Sequence, residues 1–335
     1  MKRGMLLGKF LPPHAGHLAL VDFASGFVGD LTIVVGTLAR EPISGTLRHE
    51  WMRELAPHAR VLHLTDENPQ DPSEHPEFWD IWRTSLRRVL PHDVDFVFAS
   101  EPYGLRLARE LSATFVPFDL DRTLVRISGT AVRSDPFAAW EHLPPCVRAH
   151  YCKRVCIFGP ESTGKSTLTR MLAERFRTVR APEYARTWLE AKGGDVQPSD
   201  MPIIARGQLA LEDAMARQSR HLLFCDTDAL ATTIWSDVLF GSVDPEVRAL
   251  AASRRYDLTL LCDVDVPWVP DAVRYLPTER ASFFERCAQA LAQEGRRTLV
   301  LSGDWETRFA KAVDAVEEMM SASPRLSAPD PHRGA

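Results

Sequence analysis

At 335 residues the chain has room for about two domains of roughly 150 residues each, and its 45% hydrophobic and 25% charged content excludes a disordered or fibrous polymer. Forty Lys and Arg against 45 Asp and Glu give a net charge of −5 without any long basic run, the opposite of a chain built chiefly to grip a nucleic-acid backbone. No segment reaches the roughly 18 apolar residues of a membrane helix, and Lys9 with two prolines interrupts the apolar start, so a cytoplasmic location is expected.

Short apolar runs alternate with helical periods, the pattern of parallel strands with helices packed on both faces. In the first half the predicted strands are Gly4–Leu7, Leu31–Val35, Arg60–Leu64, Val94–Ala99 and Thr114–Pro117. Leu20, Phe23, Ala24 and Phe27 fall on one stripe of a predicted helix between the first two. Phe10-Leu-Pro-Pro-His14-Ala-Gly16-His17 leads from the first strand into that helix. Its two histidines bring imidazoles to a helix N-terminus, and Gly16 lets the backbone approach a phosphate closely. No third His or Cys stands at a useful spacing, so no metal set is expected there.

Further along, Phe78-Trp79-Asp-Ile-Trp82 places two indoles on one helical face, an ordinary core pair or a stacking surface for a cationic aromatic ligand. Ile127-Ser128-Gly129-Thr130-Ala131-Val132-Arg133 follows the last strand of this half. Ser128 is expected to cap a helix whose N-terminus offers donors to a triphosphate, and Arg133 to add a charged fork. Two separated phosphate-binding elements in one βα domain point to nucleotidyl transfer.

The seam between domains is placed in 136–153, where Pro144-Pro145 interrupts a mixed helical stretch, giving domains of 1–143 and 144–320 and a disordered tail of 321–335. In the second half, Arg154–Phe158, Leu222–Asp226, Leu258–Asp263 and Thr298–Leu301 read as strands, and Leu168, Met171, Leu172 and Phe176 as one helix face. Gly159-Pro-Glu161-Ser162-Thr163-Gly164-Lys165-Ser166-Thr167 satisfies G-x-x-x-x-G-K-[ST] between a strand and an amphipathic helix. Its N–H groups would cradle phosphates, Lys165 would neutralise the β/γ oxygens and Ser166 would bind Mg²⁺. Asp226, ending a buried strand, is the expected second metal group; Asp228 is either a further site carboxylate or the cap of the next helix.

Glu183-Tyr184-Ala-Arg186, after the second strand of this half, would put a proton acceptor and a substrate-holding guanidinium across from Asp226. Trp268 lies just past a strand end, as a stacking wall or a hinge-packing residue. The six cysteines contain no C-x-x-C pair and read as small core hydrophobes in a reducing compartment.

These residues, in this order, resemble the NadR-type bifunctional enzymes, a nicotinamide mononucleotide adenylyltransferase followed by a ribosylnicotinamide kinase. The likeness runs from Gly8-Lys9-Phe10 through His14–His17, Trp79–Trp82, Ile127–Arg133, Pro136-Phe-Ala-Ala-Trp140-Glu141, the P-loop, Glu183–Arg186, Asp226–Asp228 and Pro267-Trp268-Val-Pro-Asp271-Ala-Val-Arg274. It covers roughly residues 4 to 320. It implies two doubly wound parallel α/β domains, a Rossmann-like nucleotidyltransferase and a P-loop kinase. The kinase half would phosphorylate nicotinamide riboside, and the first half would join the mononucleotide to AMP from ATP, giving NAD and pyrophosphate.

On that resemblance His14, His17, Lys9 and Arg133 serve adenylyl transfer, and Gly8, Phe10, Gly16, Ser128 and Thr130 hold its ATP. Lys165, Asp226 and Glu183 serve the kinase, with Glu183 or Asp226 as base, and Trp79, Trp82, Tyr184, Arg186, Asp228, Trp268 and Arg274 meet nicotinamide substrates. Mg²⁺ is the expected cofactor. Nicotinamide riboside, its mononucleotide, ATP and NAD are the expected partners, with association with a riboside transporter, or with a second copy, left open. The longest family members begin with a helix-turn-helix segment; here the first strand starts at about Gly4, and no DNA binding is expected.

Overall fold

Strands buried on both faces of a parallel sheet have no polar side to alternate with, and the apolar runs of this chain become such strands. A computed structural model describes residues 1–193, 195–270 and 278–322 and divides into two compact units, one of Met1–Val147 and a second beginning at Arg148. In the first, β1 (Arg3–Gly8), β2 (Asp30–Gly36), β3 (Arg60–Leu64), β4 (Phe96–Ala99) and β5 (Thr114–Pro117) form a sheet of order β3-β2-β1-β4-β5, every neighbouring pair parallel. The order reverses between β1 and β4, and the crevice outside their carboxyl ends is where such sheets bind ligands.

The crossovers are α1 (Ala15–Phe27), α2 (Gly45–Leu55), α3 (Phe78–Val89) and α4 (Tyr103–Glu110); α5 (Gly129–Ser134) and α6 (Pro145–Tyr151) follow β5. Successive residues of β1 serve opposite faces. Leu6 packs with Leu20, Val21, Ile33 and Met52, whereas Met5 packs with Val34, Leu86, Val97 and Leu107. The predicted α1 stripe is corrected here. Leu20 and Ala24 are buried, but Phe23 and Phe27 are 38% and 49% exposed. Their rings meet Phe96, Phe98 and Phe118 at 5.1–6.1 Å instead of entering the core.

In the second unit β6 (Lys153–Phe158), β7 (Val179–Ala181), β8 (Leu222–Asp226), β9 (Leu258–Cys262) and β10 (Thr298–Leu301) form an all-parallel sheet of order β10-β9-β6-β8-β7. Its helices are α7 (Lys165–Arg175), α8 (Tyr184–Lys192), α9 (Asp200–Ala216), α10 (Ala229–Phe240), α11 (Pro245–Ala252), α12 (Arg280–Gln293) and α13 (Trp305–Ser321). Val155 and Ile157 of β6 pack with Leu168, Leu172 and Val316; Cys156 and Phe158 pack with Met201, Ile234 and Phe283 on the other face. All six cysteines are buried, and none forms a disulfide among the described residues. Helix α13 continues through Ser321, the first residue of the predicted tail, whose residues 323–335 lie outside the described ones.

Candidate active sites

In the first unit the loop after β1, the N-terminus of α1, the end of β4 and the start of α5 enclose a cavity of about 650 Å³. Every residue expected from this half of the sequence lines it: Gly8, Lys9, Phe10, His14, Gly16, His17, Trp79, Trp82, Ser128, Thr130 and Arg133. His14 is the N-cap of α1, and its carbonyl accepts the His17 and Leu18 N–H groups. This turn stacks the two imidazoles with centroids 3.8 Å apart.

Burial first, then the Arg122 and His142 charges, lower His14 to about 4. Burial, His14 and Arg122 hold His17 well below the ordinary range as well. Both rings are therefore neutral at pH 7, and neither Nδ1 meets a protein partner among the described residues. Ser128 caps α5 as expected, its Oγ accepting the Ala131 N–H at 3.1 Å. Arg133 donates to the Leu11 carbonyl at 2.6 Å and to Thr130 Oγ1 at 3.1 Å, tying α5 to the histidine loop.

Behind this loop stands Arg48, which sequence reasoning missed. It is fully buried, donates to the Lys9 carbonyl at 2.7 Å and pairs with Glu41 at 2.5 Å, and Glu41 also meets Lys9 Nζ at 3.2 Å. Only its position on α2 brings it 39 residues back along the chain, so no local motif announces it.

The second unit has a cavity of about 160 Å³ at the carboxyl ends of β6 and β8. Gly159, Glu161, Ser162, Thr163, Gly164, Lys165, Ser166, Thr167, Glu183, Arg186 and Asp228 line it. Gly159 has φ +133°, and an added Cβ would stand 2.7 Å from the Cys262 carbonyl oxygen, so only glycine lets the loop leave β6 this close to β9. Lys165 Nζ donates to the Pro160 carbonyl at 2.8 Å within its own loop. Arg308 of α13, 1% exposed, donates to the carbonyls of Thr163, Asp263 and Gly303 at 3.0–3.3 Å and pairs with Asp265.

Asp226 is 1% exposed beneath the loop, with Oδ1 unpartnered. Burial and the Glu183 carboxylate raise its carboxyl to about 6, against the pull of Lys165 and the Ser166 hydroxyl. Thr227 follows with φ 64°, a costly conformation for a β-branched residue and one that marks a constrained site. Asp228 does two structural jobs at the cavity wall: its Oδ1 caps α10 through the Ala231 N–H at 3.1 Å, and its Oδ2 pairs with the buried Arg296.

Tyr184 does not line the cavity. Its ring lies against Gly207 of α9, within 2.0–2.5 Å of where a Cβ would stand. Trp268 is also absent from the lining; the Arg280 guanidinium sits 5.9 Å over its ring. Arg274 lies outside the described residues. Gln208 and Trp235, which sequence reasoning passed over, do line the cavity, brought there by the packing of α9 and α10 rather than by any contiguous motif.

A family model described as an AAA domain matches residues 154–308. The chain is 30% identical to the trifunctional NAD biosynthesis/regulator protein NadR of Salmonella typhimurium strain LT2, over 95% of this chain and 83% of that one. A crystal structure of NadR protein in complex with NAD and AMP-PNP superposes with a TM-score of 0.76 at 26% identity, over 96% of each chain. A second, in complex with NR, does so with a TM-score of 0.76 at 24% identity, again over 96% of each. Fold, cradles and likeness together define a nucleotide-binding transferase of NAD biosynthesis. The chain belongs to the NadR family.

Proposed function

We propose that the two units catalyse consecutive steps: the second phosphorylates the 5′-hydroxyl of nicotinamide riboside with ATP, and the first joins the resulting mononucleotide to the AMP part of a second ATP, releasing pyrophosphate and giving NAD. The observation that carries this reading is the pair of separate cavities, each with its own phosphate-binding helix N-terminus. The related crystal structures, with NAD and AMP-PNP and with NR bound, support it.

In the first unit the mononucleotide phosphate attacks the α-phosphorus in line, without a covalent intermediate. His14 and His17, neutral before ATP arrives, donate hydrogen bonds to phosphate oxygens as charge builds there. Lys9, steadied by Glu41, and Arg133, in the last turn of α5, hold the departing pyrophosphate. Trp79 and Trp82 form the aromatic wall for the pyridinium, with Trp82 Nε1 anchored on the Pro69 carbonyl at 2.8 Å.

In the second unit the loop amides and Lys165 bind the β- and γ-phosphates. Ser166 and Asp226 fit Mg²⁺, since the unpartnered Oδ1 and the hydroxyl are hard oxygen donors of the kind that holds this ion together with nucleotide phosphates. The ion would neutralise charge on the transferred phosphoryl group. Glu183 lines the cavity whereas Asp226 lies beneath it, so Glu183 takes the hydroxyl proton and Arg186 holds polar groups of the riboside.

Incubating the protein with nicotinamide riboside, ATP and Mg²⁺, and following mononucleotide and NAD by chromatography, tests both steps. Both products are expected; NAD binding without turnover would make the protein a sensor instead. Glu183→Gln should slow riboside phosphorylation by about 10²-fold or more. Turnover near that of the unaltered protein would remove Glu183 from the role of base.

A further inference from the structure

Gln208 occupies the wall of the second cavity with its amide held in one orientation. Its Oε1 accepts the Tyr184 N–H at 2.9 Å, and its Nε2 donates to Glu212 Oε1 at 3.2 Å. A flipped amide would set its NH₂ against a backbone donor and its oxygen against a carboxylate, so neither bond would survive. Glu212, one helical turn further along α9, is fully buried and is itself fixed by the Tyr256 hydroxyl, 2.9 Å from both carboxylate oxygens. The Arg296 guanidinium lies 4.9 Å over the Tyr256 ring and pairs with Asp228 on the cavity wall. One buried chain of contacts thus runs behind the cavity from Gln208 to Asp228.

Each Nε2 carries two hydrogens, and Glu212 takes one; among the described residues the other meets no protein acceptor. We infer that Gln208 is a specificity-determining residue that presents a fixed N–H donor to an acceptor oxygen of the riboside, and that Glu212 is the positioning residue that sets this polarity. This rests on the proposed kinase reading of the cavity and adds to it. A buried amide locked as a donor selects ligands that bring an acceptor and rejects those that bring a hydrogen, because the mismatch leaves two polar groups unpaired.

The test compares Gln208→Met, Glu212→Leu and Glu212→Gln in the full chain, measuring KM for nicotinamide riboside and for ATP, kcat and thermal unfolding. Gln208→Met keeps the length of the side chain and removes the donor; riboside KM should rise about tenfold, the equivalent of about 1.4 kcal/mol, with ATP KM within twofold. Glu212→Leu removes one of the two bonds that hold the amide, leaving the Tyr184 N–H, and should raise riboside KM by less than Gln208→Met does. Glu212→Gln should restore it, since a carboxamide oxygen can still accept from Gln208.

Riboside KM unchanged in Gln208→Met, or riboside and ATP KM rising together with a lower melting point, would overturn the inference. Gln208→Met carries the test alone if Glu212→Leu does not fold. Failure of the unaltered protein to phosphorylate nicotinamide riboside would instead sink the kinase reading, so the two failures are told apart.

Discussion

The two phosphate loops solve one problem with different chemistry. A loop that turns its N–H groups toward a ligand points its carbonyls back into the protein, where something must donate to them. In the first unit Arg48 donates to the Lys9 carbonyl, and in the second Arg308 donates to that of Thr163; among the described residues these are the two largest fully buried side chains. What faces the ligand differs. The first cavity, about 650 Å³, offers stacked neutral imidazoles and indoles; the second, about 160 Å³, offers one ammonium above a buried carboxylate. The support is common, and the working surface is particular to each proposed reaction.

The largest effects should come from separating the two surfaces. Lys165→Met should lower riboside phosphorylation by about 10³-fold while leaving NAD formation from supplied mononucleotide intact, and His17→Ala should do the reverse by about 10²-fold. Parallel loss of both activities in a folded variant would mean that the cavities do not act independently.

A smaller effect should distinguish the two supporting arginines. Arg48→Met leaves Glu41, whose side chain is 7% exposed, with only Lys9 and the Leu38 N–H as partners and should cost about 3 kcal/mol in urea unfolding. Arg308→Met should cost less, about 2 kcal/mol, because the Asp265 side chain is 38% exposed and can rehydrate. Equal costs would show that the partner's access to water does not set the difference.

The pH dependence offers a further contrast, with opposite signs in the two units. His14 is held near 4 in the folded state against 6.5 when free, so the unfolded state binds more protons between those values and the first unit loses stability as pH falls through that window. In the second, burial raises Asp226 to about 6 and Glu212 to about 7. The folded state therefore binds more protons, and stability is lost as pH rises from about 4 through those values. Hydrogen exchange at pH 5 and pH 7.5 should show protection shifting from the second unit at the lower pH to the first at the higher. A shift of the same sign in both would refute this.

Contiguous motifs carried most of this architecture into view. Arg60–Leu64, Thr114–Pro117, Leu222–Asp226 and Thr298–Leu301 are strands with the predicted bounds; Leu222–Asp226 is buried throughout as an apolar run, whereas the other three are short edge strands. The three-residue β7 is too short for such a signal to define its ends. Lys9, His14, His17 and Lys165 were legible because each sits in a loop or in the first turn of the helix that follows it, where the geometry is local. Arg48, Arg308, Gln208 and Trp235 were not, since their roles come from helices packed against distant loops, and a lone Arg or Gln in a helical period looks like any solvated residue. Phe23 and Phe27 misled for the converse reason: helical spacing marks an apolar stripe but not how deeply each of its side chains is buried.

The buried cysteines have a practical consequence. Cys156 and Cys225 face each other in register on adjacent strands, wholly shielded, and burial raises both thiols well above their usual range. Alkylating reagents attack thiolates, so the native fold keeps these sulfurs silent. Mass-tagging the protein over time would then act as a clock for the opening of the second sheet, and ATP analogues or riboside that slow the tagging would report occupancy of the P-loop cavity without any turnover.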